Sequence, residues 1–167
     1  MTSAVRRLGI SLTIVAIVAC AAPQRREAPA LVPLPESRAL EVIRSGFEEA
    51  HVQPELHRVL HLRENHEMEV DYATVGHRHG VEFLQAQDRA DFGAVLPQRR
   101  VQGSLLTVVG VGDDATFDVL LLDDGEFMYQ PDPAFTSAGQ PTLIEVEDRL
   151  RRAVVDYLTY LQHHGEL

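Results

Sequence analysis

The chain has 167 residues, with 25 acidic against 15 basic ones, all of the latter arginine, and a formal charge of −10. That balance excludes a nucleic-acid binder, which needs a basic stripe to release counterions from phosphates, and the nearest candidates for one are an isolated pair, Arg99 with Arg100, and a cluster of Arg149, Arg151 and Arg152 among acids. A single cysteine, Cys20, excludes a disulfide within the chain.

The first feature along the chain is an apolar run from Leu8 to Ala19, broken only by Gly9, Ser11 and Thr13. Twelve residues fall short of the ~20 a helix needs to cross a bilayer core. Arg6 and Arg7 precede the run, and the small residues Ala19, Ala21 and Ala22 surround its end. Charged, apolar and small-residue regions in that order are the layout of an export signal. Four prolines follow, Pro23, Pro29, Pro33 and Pro35, so no helix continues and residues 20–37 are expected to form a semi-extended tether.

At the end of the signal, Ile17, Val18, Ala19 and Cys20 resemble the lipobox of bacterial lipoproteins, in which aliphatic and small residues precede an invariant cysteine. The resemblance implies cleavage before Cys20, a diacylglyceryl group on its thiol and acylation of the new amino terminus. Each chain contributes about 0.8 kcal/mol per buried methylene, so two or more anchor a domain firmly where one does not. A lone exported cysteine could otherwise be a free thiol or an intermolecular bridge; this placement favours lipidation. In Gram-negative lipoproteins an aspartate after the cysteine signals inner-membrane retention, so with Ala21 there the resemblance implies the outer membrane; in an actinobacterial source the anchor would sit in the plasma membrane. Loss of residues 1–19 removes two positive charges and takes the net charge to −12 over 148 residues.

The rest, residues 38–164, is long enough for one α+β domain. Leu40, Ile43, Phe47 and Ala50 recur at helical spacing, with Ser37 placed to cap an N-terminal helix. Pro54 opens a stretch whose Leu56, Val59 and Leu60 suggest a helix or loop. Met68, Val70 and Tyr72 then alternate with Glu67, Glu69 and Asp71 as a half-buried strand from about 67 to 75. After Gly80, "VEFLQ" reads as another short strand, and Asp88 is placed to cap a brief helix that ends before Pro97.

Two valine- and leucine-rich runs between residues 104 and 122 are separated by "GDD", and a third run follows "DDG". These turn residues predict a three-stranded antiparallel meander. A loop follows, and then Thr142 and Glu145 form a capping box for a C-terminal helix with a stripe of Leu143, Leu150, Val154, Tyr157 and Leu161. That helix should cover one face of the sheet, since an isolated meander leaves its apolar face wet.

Eight histidines are the first candidates for chemistry. On a helix, His57 and His61 would face one way with Glu64 a turn further, a conceivable three-ligand set for Zn²⁺, and His77 and His79 could complete it. No glutamate lies between histidines as in HExxH, and His163 and His164 suit a helix C-terminus. Asp113, Asp114, Asp118, Asp123 and Asp124 cluster near turns without calcium-loop spacing, and read as turn residues bonding their own backbone. Ser104 and Ser137 sit in no nucleophile elbow, and no glycine-rich phosphate loop occurs. The stretch before the first β run could leave a sheet edge open to a partner strand.

The sequence therefore points to a lipid-anchored envelope protein with a non-catalytic binding or structural domain and no cofactor. Its expected partners are the bilayer, through acylated Cys20, and an envelope protein. The alternative is a small metal-binding or metal-dependent domain built on His57 and His61.

Overall fold

The computed structural model describes residues 27–76, 78–98 and 105–167. The signal, Cys20, His77, Arg99, Arg100 and Ser104 lie outside them.

Strand β1 (Val32–Pro33) leads into helix α1 (Glu36–Glu49). Ala39, Val42, Ile43, Gly46 and Phe47 are buried along one side of α1, as spacings of three and four residues require. The N-cap is Pro35 with no side-chain cap, so Ser37 lies inside the first turn rather than at its start. At the other end of the chain, α3 (Leu143–His164) carries the reciprocal Thr142 and Glu145 capping box and ends at Gly165 in the left-handed conformation. Its buried stripe is Val146, Leu150, Val154, Tyr157, Leu158 and Leu161; Leu143 is outside it.

The two helices pack closely because Gly46 has no Cβ; one would stand 2.9 Å from Val154 Cγ1. They run the same way. Arg38 Nε donates to Glu147 at 2.6 Å near their N-termini, and Gln162 Nε2 donates to the Ala50 carbonyl at 2.9 Å near their C-termini.

Between α1 and α3 lie β2 (Pro54–His61), β3 (Glu67–Thr74), β4 (His79–Leu84), α2 (Ala86–Phe92), β5 (Thr107–Val109), β6 (Asp118–Asp123) and β7 (Met128–Tyr129). Five strands form a mixed sheet in the order β2-β3-β4-β6-β5, while β7 leaves it to pair with β1. The architecture is α+β, with α1 and α3 on one face over Tyr72, Val81, Phe83, Leu120 and Leu122. A second apolar cluster, including Leu60, Met68, Val70 and Phe117, fills the opposite face beneath Phe92, Val95 and Leu96.

Three further expectations change. The stretch after Pro54 is a strand, paired with β3 from Pro54↔Thr74 to His61↔Glu67, and not a helix. Its Leu56, Val59 and Leu60 mimic helical spacing because the strand turns at His57, where φ is +60°. Of the expected meander, the β5–β6 pair around "GDD" is antiparallel as read, but β6 pairs with β4 in parallel, and the three-stranded antiparallel meander is β2-β3-β4. Val119, Leu120, Leu121 and Leu122 are all buried, the pattern of a strand covered on both faces, and the 3-10 turn Asp124–Glu126 sends β7 away from the sheet. Finally, α2 is capped by Gln85, with Asp88 bonding back from the first turn.

Candidate functional site

The histidines proposed as ligands separate. His57 and His61 both lie on β2, but His57 Nδ1 is 2.5 Å from Glu69 and lines one cleft, while His61 Nδ1 is 2.7 Å from Asp114 and lines another. His79 is buried on β4, its Nε2 3.5 Å from Glu166. Glu64 falls in the 3-10 turn Arg63–Asn65, and His77 lies outside the described residues. Among the described residues no three His, Cys, Asp or Glu side chains are grouped to hold one metal ion. A strand spaces His57 and His61 where a helix would have stacked them.

His61 and Asp114 form a dyad with a structural job. Asp114 Oδ2 accepts both the His61 backbone N–H at 3.0 Å and its ring, tying the turn Gly112–Asp114 to the end of β2. The side-chain bond to Asp114 raises the His61 pKa above the usual imidazole value. In return the His61 backbone N–H, followed by its ring, holds Asp114 below the usual carboxylate range.

Asp123 and Asp124 also bond across the fold. Asp123 is buried and takes Arg89 as a two-pronged partner at 2.6 and 2.9 Å, and the Asp124 side chain accepts the Ala86 N–H at 3.1 Å. Together they fasten α2 to the end of β6.

The most unusual chemistry lies between β3 and β4, where only Tyr72↔Val81 and Ala73↔Gly80 pair in register. Beyond them, two carboxyl groups take the place of the ladder. The Asp71 N–H donates to Glu82 Oε2 at 2.9 Å, and the Phe83 N–H donates to Asp71 Oδ2 at 2.8 Å. This swap coincides with the turn at His57 across the strand pair. Met68 and Val70 enter one core cluster and Tyr72 the other, although all three have the same parity.

Asp71 and Glu82 line a cleft of about 490 Å³ with Glu36, Glu69 and Asp88, and His57 is the only basic residue on its wall. Glu82 is 8% exposed, and burial, then the charge of Asp71, pushes its pKa up to about 9. Burial pushes Asp71 up to about 6, opposed by the Phe83 N–H and assisted by Glu36, Asp88 and Glu69. At neutral pH the cleft thus presents a protonated carboxyl beside an ionised one, a hydrogen-bond donor and an acceptor against the apolar walls of Leu40 and Leu56.

Sequence reasoning missed this pair because Asp71 alternates as an outward residue should; the available signal was Glu82, a lone carboxyl inside the apolar run Val81–Leu84. Among the described residues the sheet ends at β2, eight residues long, and at β5, three residues long after the stretch proposed to expose an edge; residues 99–104 of that stretch lie outside the described ones. Comparison with known proteins gives no match to a family model, a curated protein or a solved structure.

Proposed function

We propose that the chain is a lipid-anchored protein of the bacterial envelope, delivered to the outer membrane, whose domain acts by binding rather than catalysis. One observation carries the anchor: the lipobox-like Ile17, Val18, Ala19 and Cys20, placed after Arg6, Arg7 and a twelve-residue apolar run. Among the described residues no helix is long and apolar enough to cross a membrane, so in this reading attachment falls to Cys20. The binding role draws on the Asp71 and Glu82 cleft, where a donor and an acceptor sit between apolar walls in the manner of a small-ligand pocket. The separate carboxylate partners of His57 and His61 support this reading over one built on a shared metal ion.

The test is expression of the full chain in a Gram-negative host fed labelled palmitate. The wild type should carry label, have the mass of a chain starting at acylated Cys20 and fractionate with outer membranes. Cys20→Ser should stay unlabelled and uncleaved. An unlabelled wild type would sink the anchor. Stoichiometric zinc in the purified chain, lost on joint His57→Ala and His61→Ala replacement, would replace the binding reading with the metal one.

A further inference from the structure

Residues 29–35 of the tether are fastened to the domain. Val32 and Pro33 pair with Tyr129 and Met128, the Leu34 N–H donates to the Phe127 carbonyl at 2.9 Å, and Leu34 is 2% exposed. Upstream of them, Gln130 Nε2 donates to the Pro29 carbonyl at 3.0 Å. Gln130 is itself buried and closes the base of the loop 131–140: its backbone N–H donates to the Pro141 carbonyl at 2.9 Å, and its side chain bonds Gln140. Among the described residues these contacts begin at Pro29, beside Pro141 and the start of α3.

Leu143 and Ile144 stand two and three residues past Pro141, 37% and 70% exposed, and Ile144 is the most exposed large apolar side chain among the described residues. The groove beside them balances Arg149 and Arg152 against Glu145 and Asp156, in a chain whose net charge is −10. The lining of that groove thus carries no excess negative charge for anionic headgroups to repel.

We infer that this end of the domain, from Pro29 to the first turn of α3, faces and touches the bilayer that holds Cys20, with Leu143 and Ile144 entering the headgroup boundary. The inference rests on the lipid-anchor reading above. Nine residue steps separate Cys20 from Pro29, at most about 30 Å when fully extended. The far end of α3 lies about 30 Å beyond Ile144 at 1.5 Å per residue, so a short leash favours the Pro29 end as the membrane side. Apolar side chains at that end gain from the interface, as those of interfacial helices do.

Cys20 is the only cysteine, so once it is acylated an introduced thiol is the only free one. Ile144→Cys and His163→Cys, each carrying an environment-sensitive fluorophore on the lipidated full chain, are compared in phosphatidylethanolamine and phosphatidylglycerol vesicles with and without brominated acyl chains. Bromine should quench the Ile144 probe about twofold or more and leave the His163 probe unchanged. Equal quenching at both positions, or none at Ile144, in vesicle-bound protein with acylated Cys20 overturns the orientation alone. Protein with an unmodified Cys20 that stays off the vesicles overturns the anchor and the orientation together.

Discussion

Where α1 crosses α3 the contact is made by Gly46 against Val154, with Phe47, Leu150 and Leu158 sealed beneath; where β3 meets β4, two carboxyl groups occupy the place of backbone pairing. The first contact is apolar, indifferent to pH and continuous with the sheet face under it. The second is polar, buried in part and dependent on protons. The helix contact thus supplies stability, and the cleft between β3 and β4 gives some of it up for a chemically distinctive wall.

Truncation on the packed side should show the largest effect. Phe47→Ala removes a fully buried ring that packs on Tyr72, and should cost about 3–5 kcal/mol in urea unfolding. A loss below about 1 kcal/mol would deny that side its role as the main core. Next is Arg89→Ala, which leaves the buried Asp123 charge without its two-pronged partner and should cost about 3 kcal/mol. Replacing Arg89 and Asp123 together by apolar residues should recover much of that loss, as a double-mutant cycle will show.

The cleft should betray itself through pH. Burial raises both carboxyl groups in the folded state, so the native chain keeps protons that the unfolded chain has released. Stability present near pH 4 is therefore lost as pH rises through about 6 for Asp71 and about 9 for Glu82. Glu82→Gln keeps an acceptor for the Asp71 N–H but cannot ionise. It should match the wild type near pH 5 and exceed it at pH 9 by several kcal/mol in thermal unfolding. Parallel stability curves for the two proteins across that window would erase the contrast between the two regions. The smallest effect is expected at Asp114→Ala, about 1 kcal/mol for the lost His61 N–H bond, read by faster amide exchange at the end of β2.

Legibility followed the same division. The stripe and capping box of α3 were readable because every determinant lies within a turn of its partner. The strand Glu67–Thr74 was readable from its alternation, yet its facing was not, because the strand pair turns at His57 and Asp71 and sends Tyr72 to the opposite cluster from Val70. Within β2, His57 takes a positive φ, uncommon for a residue other than glycine, at the position where the register with β3 is interrupted. For the candidate site, His57 and His61 were visible as residues, but their partners Glu69 and Asp114 come from another strand and from a turn beyond α2. Asp71 and Glu82 were invisible as a pair until β3 and β4 stood side by side.

By itself, then, the sequence determined the C-terminal helix with its cap, the position of the 67–74 strand, and a proline-rich approach that cannot be helical. Tertiary structure alone decided that β6 pairs in parallel with β4, that β7 leaves the sheet for β1, that residues 29–35 dock on the domain, and that two carboxyl groups replace a ladder. Helical periods and caps are written in neighbouring residues, whereas strand partners, burial and the proton affinity of a carboxyl group depend on what distant chain is brought beside them.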